Sequence, residues 1–74
     1  MISHLSAAEL RSITTGGGSV NVDGGRYGAA ELRSIATGLR AGSSLIVSHS
    51  DRLSSAEMRS IATGAPEGAT VLFQ

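Results

Sequence analysis

The sequence predicts an α/β fold, a miniature solenoid-like repeat in which three short parallel strands carry three short helices on one face. The first observation is internal repetition: three similar segments begin at Leu5, Tyr27 and Leu53, at spacings of 22 and 26 residues, and such periods are typical of repeat architectures. The second is a short run of β-branched and apolar residues after each segment. Alternating helices and strands favour parallel pairing through right-handed crossovers. We therefore expect a single domain of three helix–strand units, approximately 5–26, 27–52 and 53–74.

Each segment carries the start and stop signals of a helix, which predicts helices over 6–15, 28–37 and 54–63. A Ser-x-x-Glu capping box opens the first and third helices, at Ser6 and Ser54, and the second has Gly28 in the capping position. A glycine ends each segment, and we expect these glycines to be left-handed caps. They are Gly16, Gly38 and Gly64.

Helical periodicity gives each helix one face directed at the core. The three predicted faces are Ala7, Leu10, Ile13 and Thr14; Ala29, Leu32, Ile35 and Ala36; and Ser55, Met58, Ile61 and Ala62. The predicted strands are 19–23, 44–48 and 70–74, and we expect alternate residues to face the helices. The residues expected to do so are Val20, Val22, Leu45, Val47, Val71 and Phe73. A fourth short strand at Met1–His4 is an open alternative, because this segment resembles the end of the second strand.

The same two charges recur on every helix, with a glutamate before the central apolar residue and an arginine after it. These charges lie about 100° to either side of that residue, so neighbouring helices placed in one direction would bring an arginine flank to a glutamate flank. One direction gives a ladder of Arg11–Glu31 and Arg33–Glu57, and the other gives Glu9–Arg33 and Glu31–Arg59. The alternative is a solvated charged flank. The first pairing leaves Glu9 and Arg59 unpartnered, with opposite charges at the two ends, which suggests association through the ends.

The second face of the sheet has no cover in the predicted fold. All-parallel sheets are normally covered on both faces, and this face would carry Asn21, Ile46 and Leu72. Exposed aliphatic residues are ordinary when scattered, but Ile46 and Leu72 would be adjacent. We therefore expect these three residues to form a contact surface for a second copy or another protein.

The polar and glycine-rich segments contain groups that occur in chemical sites, but their spacing favours turns. Asp23-Gly-Gly-Arg26 leads from a strand into a helix but lacks the spacing of a phosphate-binding loop, and its aspartate would repel an anion. His4, His49 and Asp51, with Asp23, carry metal-ligand atoms. Successive strand residues point to opposite faces, however, so Ser48, His49 and Ser50 do not form a catalytic triad with Asp51. We expect no enzyme activity, no cofactor and no metal.

Composition excludes several other classes of protein. Six basic and six acidic residues give zero net charge, which makes nucleic acid an unlikely partner. With no cysteine there is neither a disulfide framework nor a thiolate site, and no apolar run is long enough to span a membrane. We expect a cytoplasmic, non-catalytic interaction or self-assembly module that forms homo-oligomers through its ends, edge strands or bare sheet face.

Two alternatives stay open at this point. The first helix is similar to the opening helix of a helix-turn-helix domain, so a small regulatory protein that binds nucleic acid is the second hypothesis for the function. The last four residues, Val71–Gln74, resemble the end of a picornaviral protease recognition sequence of the kind that tag removal leaves. They are also in register with the preceding strand, which favours a native strand.

Overall fold

A computed structural model, which describes residues 4–74, shows an α/β fold with three helices and three parallel strands. The elements in chain order are α1 (Ala7–Thr15), β1 (Val20–Asp23), α2 (Ala29–Thr37), β2 (Ser44–Ser48), a 3₁₀ turn (Ser50–Arg52), α3 (Ser55–Gly64) and β3 (Thr70–Phe73). The predicted order of elements is confirmed. Of the proposed fourth strand, Met1–Ser3 lies outside the described residues and His4 lies in an exposed bend.

The three strands form one sheet in the order β1-β2-β3, so each strand pairs with the next along the chain. Val20 of β1 stands opposite Leu45 of β2, and Leu45 stands opposite Val71 of β3. This register is the one that the alignment of the sequence segments predicts. It places Val22, Val47 and Phe73 in a second row and Asn21, Ile46 and Leu72 in a row between the two.

The helices begin where the capping signals predict. Ser6 and Ser54 each accept a hydrogen bond from the amide of the glutamate three residues later, and that glutamate accepts one from the serine amide. At α2, Glu31 accepts a hydrogen bond from the Gly28 amide at 2.9 Å, while Gly28 has no side chain with which to complete the box. In each helix, the N-cap amide therefore donates a hydrogen bond to a glutamate of the same helix.

The helix ends differ from the predicted left-handed caps. Gly16 and Gly38 have φ values of −78° and −82°, in the ordinary right-handed range, and Gly64 is the last residue of α3. Among the glycines, positive φ values occur instead at Gly17, Gly42 and Gly68. Each of these glycines lies three residues before the first helix-facing residue of a strand. Glycine is favoured there because a Cβ atom disfavours positive φ.

One buried apolar cluster joins the sheet to all three helices. The cluster consists of Leu10, Val20, Val22, Tyr27, Leu32, Ile35, Ala36, Leu39, Leu45, Val47 and Ile61. It includes residues from every helix and the predicted inward residues of β1 and β2, so the helices lie on one face of the sheet. Three residues expected on the core face are exposed instead: Ile13 of α1, and Ser55 and Ala62 of α3. Ile13 and Ala62 lie on helix flanks that no other described helix covers, and Ser55 is the first residue of α3.

Candidate interaction surfaces

Adjacent helices are joined by arginine–serine hydrogen bonds. Nη1 of Arg11 donates to Oγ of Ser34 at 3.2 Å, and Nη1 of Arg33 donates to Oγ of Ser60 at 3.1 Å. The structure therefore differs from the predicted ladder, in which Arg11 and Arg33 pair with Glu31 and Glu57. Both carboxylates are held at the N-terminus of their own helix, where Oε1 accepts a hydrogen bond from the amide of the N-cap residue. Only the direction matches the first predicted ladder.

Each pair of adjacent helices is in close contact at a glycine. A Cβ atom at Gly38 would lie 3.0 Å from Cγ of Arg11 and 3.0 Å from Oγ1 of both Thr14 and Thr15. The α2–α3 pair repeats this arrangement: a Cβ atom at Gly64 would lie 3.0 Å from Cγ of Arg33 and 3.3 Å from Cγ2 of Thr37. The sequence predicted these glycines as left-handed caps. Gly38 is the C-cap residue of α2 but is not left-handed, and both glycines allow the neighbouring helix to pack closely.

A buried threonine adds to the first of these helix contacts. Oγ1 of Thr14 lies 3.3 Å from the carbonyl oxygen of Ile35 in α2 and also donates to the carbonyl of Arg11. At the end of α1, Nε of Arg40 donates to the carbonyl oxygen of Thr15 at 2.9 Å. Arg40 thus caps the C-terminus of a helix that lies more than twenty residues earlier in the chain. The periodicity of the sequence does not predict this contact.

Each outer helix leaves one flank uncovered by any other described helix. The α1 outer flank consists of Ser12, Ile13 and Gly16, all exposed. The α3 outer flank consists of Arg59, Ala62 and Thr63, also all exposed. Arg59 was predicted as an interface residue, and the structure places it in this open position.

A shallow groove of about 450 Å³ lies on the exposed face of α3 and extends to Arg33 of α2. The lining residues are Arg33, Ser55, Ala56, Arg59, Ser60 and Thr63. The two titratable residues of this lining are both arginines, so the groove offers hydrogen-bond donors and hydroxyl groups rather than an acid–base pair.

The uncovered sheet face consists of Asn21, Ile46 and Leu72, which stand side by side on the three strands. Asn21 and Ile46 are half-buried, whereas Leu72 is 47% exposed. Oδ1 of Asn21 accepts a hydrogen bond from Oγ of Ser48 at 2.8 Å, which turns the amide toward the neighbouring strand. The apolar part of this face is therefore one exposed leucine beside one partly covered isoleucine.

The carboxyl ends of the strands bring together part of the predicted polar cluster. Nδ1 of His49 lies 3.4 Å from Oδ1 of Asp23, and His49 has a positive φ of 57°. Asp51 and His4 are both exposed. Across residues 4–74, no three histidine, aspartate or glutamate side chains are close enough together to hold a metal ion.

The glycine-rich loop before α2 is organised as a turn around Asp23. Oδ1 of Asp23 accepts a hydrogen bond from the Gly25 amide at 2.9 Å, and its carbonyl accepts one from the Arg26 amide at 3.0 Å. The Asp23 carboxylate therefore accepts the hydrogen bond of an amide that, in a phosphate-binding loop, would point at the ligand. This geometry agrees with the interpretation of the segment as a turn.

Glu9, the other predicted end residue, is an exposed part of the α1 cap. The hydrogen bond from the Ser6 amide, followed by the Ser6 side chain, lowers the pKa of the Glu9 carboxyl from its usual 4.5. The carboxylate thus favours its charged form in the folded state, and its contribution to the cap is lost as the pH falls through that lowered pKa. Its described interactions belong to its own helix and to no neighbouring surface.

Within the part of the chain that the structure describes, none of the helices has the length and apolar character required to cross a membrane. Comparison with protein-family models, curated proteins and solved structures found no match to this chain, so its function has to be inferred from its own residues and contacts.

Proposed function

We propose that this chain is a non-catalytic protein-interaction and self-assembly module, built as a solenoid-like α/β repeat that associates through surfaces its own elements leave uncovered. The observation that supports the proposal is where its exposed large hydrophobic residues lie. Ile13 is 40% exposed on the α1 outer flank, and Leu72 is 47% exposed on the uncovered sheet face. Full burial of such a side chain contributes about 1.5–3 kcal/mol, so a partner that covers the part still exposed would contribute about 1 kcal/mol per residue.

The strand edges support the same proposal. β1 and β3 are the edge strands: each pairs with β2 along one edge, and no other described strand pairs with the other edge. Unpaired strand edges are templates for another chain. The zero net charge of the chain lowers the repulsion between copies, because a net charge far from zero helps to keep proteins monomeric.

The nucleic-acid hypothesis receives less support from the fold. A helix-turn-helix module places a second helix directly after the first, so that this helix enters the major groove. Here α1 leads into β1, and its arginine, Arg11, donates to Ser34 of α2. We therefore favour a protein as the partner.

The experiment that tests the proposal is sedimentation equilibrium of the purified chain over a wide concentration series. We expect the average mass to rise above the 7.5 kDa of one chain as the concentration increases, because association follows mass action. A mass that stays at that of one chain throughout the series, with no partner retained on an immobilised chain, would contradict the proposed function. A DNA fragment serves as the control ligand, and its salt-dependent retention would favour the nucleic-acid hypothesis instead.

A further inference from the structure

We infer that the partner is a second copy of this chain, whose α1 outer flank packs on the α3 outer flank in the register that joins α1 to α2 and α2 to α3. This inference rests on the proposed function and adds to it the identity of the partner and the residues that meet. The contact is heterologous, because two different flanks of the same chain face each other.

The chain already forms this contact twice within itself. On one side of the contact an arginine and a threonine approach, and on the other side a serine hydroxyl and a glycine receive them. Arg11 and Thr15 of α1 meet Ser34 and Gly38 of α2. Arg33 and Thr37 of α2 meet Ser60 and Gly64 of α3 in the same way.

The two outer flanks carry the two halves of a third contact of this kind. In the aligned segments, Arg59 and Thr63 of α3 occupy the positions of the approaching arginine and threonine, and both are exposed. Ser12 and Gly16 of α1 occupy the positions of the receiving serine and glycine, and both are also exposed. A second copy would therefore place its Ser12 hydroxyl within reach of Arg59.

The burial of the aligned isoleucines shows what the contact would cover. Ile35 and Ile61, each on a helix that follows another, are 0% exposed, whereas Ile13 is 40% exposed. On the opposite flank, Thr14 and Ala36 are 0% exposed, and the aligned Ala62 is exposed. Docking in the inferred register would place Ile13 of the second copy against the α3 outer flank.

The same displacement extends the sheet. Helices and strands follow one another in the same direction, since β2 lies between β1 and β3 and α2 contacts both α1 and α3. A second copy docked on α3 would therefore bring its β1 to the open edge of β3. Continuing the register places Val20 of the second copy opposite Val71, as Val20 stands opposite Leu45 within the chain.

Paired substitutions separate this docking mode from association through the sheet face. Ile13→Arg introduces a charge on the α1 outer flank, and Leu72→Arg, the matched control, introduces the same charge at the other exposed hydrophobic residue. We expect Ile13→Arg to raise the dissociation constant by about 10-fold, because it removes the apolar area of Ile13 that docking would cover and places a charge in the contact. Residue 72 lies on β3, which would pair with the second copy, but its side chain points to the uncovered sheet face. We therefore expect Leu72→Arg to weaken association much less than Ile13→Arg, with circular dichroism showing that both variants are folded.

The outcomes distinguish the inference from the proposed function. If Leu72→Arg abolishes association and Ile13→Arg does not, the docking mode is overturned while the proposed function stands. If the unmodified chain is monomeric at every concentration, both are overturned. Arg59→Glu supplies an independent variant on the opposite flank, and its association should weaken in the same direction as that of Ile13→Arg.

Cysteine cross-linking tests the register itself, since the natural chain contains no cysteine. A chain carrying Gly16→Cys is mixed with one carrying Thr63→Cys under mild oxidation. The aligned pair inside the chain, Gly64 and Thr37, places a Cβ atom 3.3 Å from Cγ2 of the threonine, which is compatible with the approach that a disulfide requires. We expect the mixed disulfide to predominate over both symmetric ones.

The matched control replaces Thr63→Cys with Thr70→Cys, an exposed position on the opposite side of the sheet. We expect little mixed disulfide from this pair. A statistical mixture of disulfides from the Gly16 and Thr63 variants, or equal yields from the Thr63 and Thr70 variants, would overturn the inferred register.

Discussion

The glycines that end α1 and α2 differ in what packs against them. Gly38 and Gly16 end helices in the same right-handed conformation, so backbone freedom does not distinguish them. The difference lies in their surroundings: a Cβ atom at Gly38 would meet three side-chain atoms of α1 at 3.0 Å, whereas at Gly16 the nearest atoms are backbone oxygens of its own helix at 3.4 and 3.6 Å. The same residue type therefore has different roles in α1 and α2.

We predict that Gly38→Ala lowers the free energy of unfolding by about 1–3 kcal/mol, the usual effect of overpacking. The physical reason is that Thr14, one of the residues it would contact, is buried and hydrogen-bonded and cannot move aside without losing a contact. Gly16→Ala is the matched control. It should leave the stability of the monomer unchanged or slightly higher, because alanine favours the helical conformation more than glycine does.

Urea denaturation at a dilution that keeps the chain monomeric measures both effects. Equal losses of stability in the two variants would show that the close approach of α1 to Gly38 has no energetic consequence.

The helices share one design at their N-termini and differ in one component. Glu9, Glu31 and Glu57 each accept the amide of the N-cap residue, but only α1 and α3 also have a serine side chain that accepts in return. Gly28 has φ −75° and ψ 164°, close to the values of Ser6 and Ser54. The backbone of α2 is therefore already arranged for a serine cap.

We predict that Gly28→Ser stabilises the chain by about 0.5–1 kcal/mol, through the hydrogen bond that the Glu31 amide would donate to the serine hydroxyl and the reduced flexibility of the unfolded chain. The new Cβ atom would be 3.7 Å from Oε1 of Glu31, an ordinary contact. Gly28→Ala is the control, because it reduces the same flexibility without supplying the acceptor. Thermal unfolding should rank serine above alanine, and the reverse order would contradict a capping role at this position.

The molecule has a small core, and its two outer helices contribute fewer buried residues than the central helix. The central helix has three buried residues, Leu32, Ile35 and Ala36, whereas α3 has one, Ile61. Short chains bury a smaller fraction of their surface than long ones and are correspondingly marginal in stability. Contacts made by a second copy would therefore add appreciably to the stability of the fold.

We predict that the urea midpoint of the unmodified chain rises with protein concentration, since association stabilises the folded state by mass action. The midpoint of Ile13→Arg should be independent of concentration, and comparison of the two chains at the lowest concentration corrects for any effect of the substitution on the monomer. A midpoint of the unmodified chain that does not change with concentration would separate folding from association.

Periodicity made the elements and the register predictable, because capping residues and alternating apolar positions are local signals. The sequence segments aligned Val20, Leu45 and Val71, and the sheet pairs them in that order. The partner of Arg11 was not predictable in this way. The spacing indicates which flank an arginine occupies, but not that Glu31 is already engaged by the Gly28 amide and that Ser34 receives the guanidinium instead.

The sequence pattern did not predict the exposure of Ile13, for a related reason. Helical periodicity assigns it to the same face as Ile35 and Ile61, and it is indeed the aligned residue. Burial of those two residues also depends on the helix that precedes each of them along the sheet, and no described helix precedes α1. A pattern within one segment therefore predicts the orientation of a side chain more reliably than what covers it.

Placing every helix on one side of the sheet gives the molecule the shape of a wedge. Neighbouring strands lie about 4.8 Å apart, whereas packed helices require about 8–10 Å, so each added unit widens the helical side more than the strand side. Copies docked in the inferred register would accumulate this bend in one sense and follow an arc with the helices outside. The concave side of this arc would be lined by Asn21, Ile46 and Leu72. The curvature would bring the exposed leucines of successive copies closer together than in a flat sheet.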